Sequence, residues 1–159
     1  MTAVREAQPS DLPSICALGE EVNALHHAAF PDIFAGRGAS DAAASHWKGS
    51  VAQADATTFV AEHEGTIVGF VTVAVSDEAH PLLQPIRVGR VGSIGVTESV
   101  RGRGVGSELM RHAQAWLERR GAYEVRLNVW QFNADALRLY KRLGFEVRSV
   151  HLAKRLGEA

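Results

Sequence analysis

Arg101-Gly102-Arg103-Gly104-Val105-Gly106, with Ser107 after it, stands between an apolar extended run and an amphipathic helical pattern. Glycines at 102, 104 and 106 let the backbone take positive φ angles and approach a ligand without Cβ clashes, and a helix that starts here points its positive end at an arriving anion. A pyrophosphate suits such a loop, although Gly-rich loops also serve as plain strand-to-helix turns. The dinucleotide fingerprint would need another Gly where Ser107 or Leu109 stands, and no Gly-Lys-Ser/Thr phosphate loop occurs anywhere in the chain. The ligand implied is a nucleotide of another kind.

Other chemistry-bearing residues are sparse. Seven histidines and one cysteine include no His-x-x-x-His pair and no His-Glu-x-x-His, so no metal site is expected. Cys16 lies between Ile15 and Ala17 on a helical pattern and reads as a packed thiol rather than a nucleophile. Tyr140 falls on one side of an amphipathic stretch with Leu137 and Leu143, where a core tyrosine and a proton donor are both possible readings.

These residues need a scaffold. The chain has 159 residues, 46% of them hydrophobic and 22% charged, which is enough for one soluble domain spanning residues 1–159 with a buried core. One cysteine rules out an intrachain disulfide. No apolar run approaches the ~20 residues of a membrane span, and Met-Thr-Ala-Val-Arg-Glu-Ala-Gln-Pro lacks a secretory h-region, so a cytoplasmic protein without a membrane partner is expected. The net charge of -1 conceals an imbalance: residues 1–86 carry 3 basic and 11 acidic side chains, residues 87–159 carry 14 basic and 7 acidic. A basic half around the glycine loop suits a polyanion, and an acidic half suits a cationic partner. The arginines are spread over loop, helix and strand instead of forming one stripe with aromatics, so no nucleic acid partner is expected.

The patterns predict a short strand over 2–7 and a helix N-capped by Ser10 whose apolar face is Ile15, Leu18, Val22 and Leu25, ending before Pro31. A second helix is expected over 40–53, with Trp47 and Val51 one turn apart. Strands at 57–63 and 66–76 flank a tight Glu64-Gly65 turn, and a loop with His80, Pro81 and Pro85 leads to a strand at 87–96. After the glycine loop, Val105, Leu109, Ala113, Trp116 and Leu117 form a helix face closed by Gly121, then a strand follows at 123–129. Asn133 N-caps a helix with Asp135 in its first turn that Gly144 ends, and a strand over 145–155 finishes the domain.

Ile94-Gly95-Val96, then Arg101-x-x-Gly104-x-Gly106, then Asn133-x-x-Ala136-x-x-x-Tyr140-x-x-x-Gly144-Phe145 occur in that order. With these motifs the chain resembles the GCN5-related N-acetyltransferase (GNAT) superfamily. The resemblance implies an α/β fold with a mixed, mostly antiparallel sheet of six to seven strands, about four flanking helices, and a splayed parallel pair ending near Val96 and Trp130. It further implies acetyl-CoA as donor, with pantetheine along Ile94, Gly95 and Val96 and the pyrophosphate at Arg101, Gly102, Arg103, Gly104, Val105, Gly106 and Ser107. CoA brings about four negative charges to the basic half. Asn133 and Tyr140 would also lie beside the cofactor, Tyr140 as general acid toward the departing thiolate, with Asn128 and Trp130 as lesser candidates for the cleft wall.

The resemblance does not supply the general base. Many members carry a Glu on the strand before the loop, where this chain reads Arg90-Val91-Gly92-Ser93. Candidates are Glu20, Glu21, His26, His27 and Asp32 on or after the first helix, or a water chain to Glu98, with His27 favoured because imidazole titrates near neutrality. The expected activity is direct transfer of acetyl to a primary amine, a small cationic amine or a peptide N-terminus; the alternative is a non-catalytic acyl-CoA-binding regulatory module. A short segment after Gly144 leaves a sheet edge that a second subunit would complete, so a homodimer is expected.

Overall fold

The computed structural model describes residues 1–36, 40–51 and 53–157. Its elements are β1 (Thr2–Glu6), α1 (Leu12–Ala29), α2 (Ser40–Lys48), β2 (Ala56–His63), β3 (Thr66–His80), β4 (Leu83–Val96), α3 (Val105–Arg119), β5 (Glu124–Leu127) and α4 (Ala134–Arg142), with 3-10 turns at Pro9–Asp11 and Glu98–Val100. The chain divides into two units, Met1–Asn128 and Val129–Ala159.

In the first unit, β1 to β4 form antiparallel neighbours in chain order and β5 adds in parallel beside β4. Parallel addition needs a crossover, and α3 supplies it. The pattern Val105, Leu109, Ala113, Trp116 and Leu117 is buried as its spacing predicts, joined by Met110. On the other face, Ile15 and Leu18 of α1 meet Trp47, Val60 and Phe70. Two glycines set how closely these layers approach. A Cβ on Gly95 of β4 would lie 2.8 Å from both Phe70 and Val22 of α1, and one on Gly69 of β3 would lie 3.1 Å from Leu109 of α3. The helices therefore rest on bare backbone beside the end of β4.

Several boundaries differ from the sequence patterns. Ser10 is not the cap of the first helix: it lies in the 3-10 turn Pro9–Asp11, and Asp11 precedes α1. The carboxylate of Asp11 accepts from the Gln8 N–H at 2.7 Å and takes both terminal nitrogens of Arg5, at 2.8 and 3.0 Å, which favours Asp over Ser at this corner. The second helix ends at Lys48, before Val51, and the remainder of the expected 40–53 span includes Ala52, outside the described residues. The loop expected around His80, Pro81 and Pro85 is mostly strand, because β3 and β4 extend as one long hairpin in which His80 pairs with Leu83. The strand expected over 123–129 is confined to Glu124–Leu127.

The second unit holds α4. Asn133 Oδ1 accepts from the Ala136 N–H at 3.1 Å, as an N-cap should, and Gly144 takes φ 87° after the helix. The Tyr140 carbonyl accepts from the Phe145 N–H at 3.0 Å, and the two rings meet edge-on at 5.7 Å. The strand expected over 145–155 is absent, so the described residues give five strands instead of six to seven. Among the described residues this unit contains one helix and no strand.

Arg5, Asp11 and Glu62 join β1, the first turn and β2 in one charged group. The Arg5 guanidinium holds the Asp11 carboxyl below its ordinary value of 3.8. A carboxylate lowered in the folded state stabilises the fold above its unfolded pKa and loses that contribution as pH falls through the folded one. Asp11→Asn is expected to cost about 1–3 kcal/mol at pH 7. The gap in Tm between the two proteins should stay level down to about pH 5 and narrow below 3.8. A gap that persists unchanged at pH 2 would mean that the charge of Asp11 contributes nothing.

Candidate active site

The ladder between β4 and β5 runs only from Val88 beside Glu124 to Val91 beside Leu127. Beyond it, Gly92–Val96 remains paired to β3 on one side, Ile94 with Val71, Gly95 with Phe70 and Val96 with Gly69. On the β5 side this stretch has no strand partner among the described residues. The parallel pair thus parts within the first unit, although β5 stops short of Trp130.

A bulge marks the point of parting. Val73 pairs with Val91 and Val71 with Ile94, so Thr72 alone faces Gly92 and Ser93. Its hydroxyl accepts from the Ser93 N–H at 2.8 Å, and a Cβ on Gly92 would lie 2.6 Å from that oxygen. Thr72 was not among the candidates read from the sequence. The available signal was one hydroxyl inside the apolar run Ile67–Val75, since a buried hydroxyl must find a partner. Thr72→Val keeps the shape and orphans the amide, so it should lower stability by about 1–3 kcal/mol. Amide exchange at Ser93 should quicken in this variant and stay slow in Thr72→Ser; equal exchange in all three proteins would show that the hydroxyl does not hold the bulge.

Past Val96, the Glu98–Val100 turn leads into the glycine loop. Gly102 and Gly104 take φ 75° and 82°, and Gly104 stands directly before α3. A Cβ at either glycine would meet nothing within 4 Å, so backbone conformation, not crowding, requires glycine there. The Glu108 N–H is the first in α3 to reach a backbone acceptor, the Gly104 carbonyl at 3.0 Å. The N–H groups of Val105, Gly106 and Ser107 precede it at the positive end of a 15-residue helix. Arg101 and Arg103 are exposed, and Arg101 Nε donates to the Val96 carbonyl at 2.9 Å, tying the loop to the end of β4. One continuous stretch, Ile94 to Ser107, therefore presents an open strand edge followed by an anion-receptive helix start.

The other expected residues fall elsewhere. His27, half-buried near the end of α1, has Nδ1 2.7 Å from the Phe34 carbonyl. A carbonyl only accepts, so Nδ1 is the donor in this contact. Nε2 faces Gly36, where even an added Cβ would stay 3.6 Å away. Asn23, also unforeseen, donates to the Ala35 carbonyl at 2.7 Å and holds the same turn. His26 Nδ1 is 2.8 Å from the Val22 carbonyl, and its ring lies 4.9 Å from that of Phe34. Glu20, Glu21, Asp32 and Glu98 are exposed, as are Asn128 and Trp130. Tyr140 is the buried residue of α4, and burial pushes its phenol above 10.0. No group of three metal-binding side chains occurs among the described residues, and no described helix is long and apolar enough to cross a membrane.

A mixed sheet whose parallel pair parts beside a glycine loop and a helix start defines the architecture of CoA-dependent acyltransferases. Residues 20–145 match the acetyltransferase (GNAT) family, and the chain belongs to it. An acetyltransferase of this family takes its acetyl group from acetyl-CoA. The mycothiol acetyltransferase of Thermobispora bispora is 41% identical over 87 residues, covering 55% of this chain and 29% of that protein. The chain spans from 29% to 58% of the length of the first curated relatives it matches. Among solved structures, a mutant of the BH1408 protein from Bacillus halodurans has the same fold with a TM-score of 0.90 at 21% identity, covering 97% of this chain and 99% of that one. The aminoglycoside N-acetyltransferase AAC(6')-Iy, in complex with CoA, has a TM-score of 0.77 at 20% identity, covering 98% of this chain and 95% of that one.

Proposed function

We propose that residues 1–159 serve as one N-acetyltransferase domain that transfers acetyl from acetyl-CoA directly to a primary amine. The observation that carries this reading is the stretch Ile94 to Ser107, an unpaired β4 edge leading into a helix start with unsatisfied N–H groups. Pantetheine amides can pair with such an edge, and a pyrophosphate can accept from such a helix. The reacting thioester is then oriented by backbone that the bulge at Gly92-Ser93 has turned out of register.

The amine nitrogen attacks the acetyl carbonyl carbon, the C–S bond breaks, and acetylated amine and CoA leave. An amine with a pKa near ~10 must first lose a proton, and His27 Nε2 is the acceptor we assign. Tyr140 gives its phenolic proton to the departing thiolate. Asn133, besides capping α4, is assigned to the cofactor with the loop residues. The acceptor we assign is a small cationic amine or a peptide N-terminus, which suits the acidic residues 1–86 and has a parallel in the aminoglycoside acceptor named for AAC(6')-Iy. A second copy of the chain is the remaining partner, and the cytoplasm the expected location.

The test is thiol release from acetyl-CoA by purified protein against polyamines, aminoglycosides, amino acids and peptides with free N-termini. Release that requires an acceptor supports the reading and identifies its class. Acetyl-CoA binding without release against any amine favours a cofactor-sensing module, to which the absence of a carboxylate in Arg90–Ser93 would then belong. His27→Ala is expected to lower kcat while leaving the Kd for acetyl-CoA unchanged; an unchanged kcat would put the base on another residue.

A further inference from the structure

The sheet face that carries Phe70 and meets Val22 of α1 at Gly95 lies open further along β3 and β4, where Ala74, Ser76, Arg90 and Gly92 are exposed. Gly92, just past the end of the β4–β5 ladder, directs its missing Cβ at Thr72. Arg90 lies two residues before it on the same face, about 7 Å along the strand. The stretch Arg90–Ser93, which lacks a carboxylate, thus puts a guanidinium beside the point where the parallel pair parts.

The neighbours of Arg90 decide what that guanidinium can bind. Its register partner on β5 is Arg126, a pairing of like charges that is unfavourable alone. Glu78 of β3 resolves it by giving Oε1 to Arg90 and Oε2 to Arg126, the latter at 2.9 Å, and Glu124 accepts from Arg126 Nε at 2.6 Å. The two arginines, Arg90 foremost, hold the Glu78 carboxyl below its ordinary value of 4.5, so it stays ionised and committed to them at neutral pH. Arg90 uses one terminal nitrogen in this contact. Its Nε and its other terminal nitrogen have no partner among the described residues, and its side chain is 47% exposed. Both oxygens of Glu78 are taken while donors of Arg90 remain, so the group that completes the cluster must accept hydrogen bonds. A carboxylate matches the planar fork of a guanidinium. Beside the cluster a cavity of about 480 Å³ opens between Arg126 and the β3–β4 hairpin, with Glu78, His80, Leu83 and Ile86 in its wall, and offers room for the body of such a molecule.

We propose that Arg90 binds a carboxylate of the acceptor, so that the amine acetylated belongs to a molecule with an acid a few bonds from its nitrogen, an amino acid or an acidic peptide N-terminus. The inference rests on the acetyl-transfer reading above and narrows its acceptor, because a polyamine would bring positive charge against two facing arginines.

The test measures thiol release and acceptor KM with two pairs matched in shape and differing in charge: aspartyl-alanine amide against asparaginyl-alanine amide, and γ-aminobutyrate against its amide. In one pair the acid is expected to have a KM about tenfold or more below that of its amide, and which pair it is tells a peptide from a free amino acid. That preference should disappear in Arg90→Gln and be partly kept in Arg90→Lys, which retains the charge without the fork. A general disturbance of the fold would raise both KM values together and leave their ratio alone. Calorimetric titration of the preferred acid into the CoA-bound protein should show weaker binding in Arg90→Gln, with the Kd for CoA unmoved. Equal KM values for acid and amide in both pairs would overturn the inference while leaving acetyl transfer intact, as would a preference that survives Arg90→Gln. Release from none of the amines would overturn the acetyl-transfer reading and this inference with it.

Discussion

Replacing Tyr140 by phenylalanine is expected to lower kcat about 10²-fold while leaving the Kd for acetyl-CoA unchanged. The magnitude follows from the leaving group: a thiol with a pKa near ~8.5 departs readily, so a proton donor gains only the lower end of what general acids deliver. Phenylalanine keeps the ring that meets Phe145 at 5.7 Å, so the loss would be that of the hydroxyl alone. Burial adds a pH signature. It raises the phenol above 10.0, and a general acid works in its protonated form, so the unaltered protein should remain active through the neutral range and lose this contribution only above pH 10. The Phe variant should lack that alkaline arm. Stopped-flow thiol release at saturating acetyl-CoA measures both effects, and an unchanged kcat would remove Tyr140 from the chemistry.

The legibility of this site in the sequence divides along a physical line. The glycine loop, the α3 face and the Asn133 cap were readable because each follows from local rules: glycine permits φ 82° at position 104, a 3.6-residue period brings Leu109 and Ala113 to one side, and an Asn side chain reaches the N–H three residues on. Thr72 was not readable, because its significance depends on Ser93 lying across a ladder whose register slips by one residue. The long β3–β4 hairpin was missed for a related reason. His80, Pro81 and Pro85 are turn residues by type, but cross-strand pairs such as Glu78 with Ile86 extend the strands past the usual stop signals. At the end of the chain the opposite occurred. Phe145–Arg155 has strand composition, yet no strand occurs among its described residues, because β-propensity is a weaker guide than tertiary context.

Gly104→Val is expected to weaken acetyl-CoA binding about tenfold or more with little change in kcat once acetyl-CoA saturates. Space is not the obstacle, since a Cβ at this position meets nothing within 4 Å. The cost lies in φ 82°, a conformation that burdens an L residue by roughly 1–2 kcal/mol and a β-branched one by more. Either the loop keeps its shape at that cost or it relaxes and turns the N–H groups of Val105–Ser107 away from the pyrophosphate. Both routes reduce affinity, and about 1.4 kcal/mol is one factor of ten. Gly104→Asn separates backbone geometry from general damage, because Asn tolerates the left-handed region and should retain most of the binding. Calorimetric titration of acetyl-CoA into the three proteins gives the ranking. If Val and Asn weaken binding equally, the left-handed turn is not what the cofactor requires; if neither does, the pyrophosphate is held somewhere other than the start of α3.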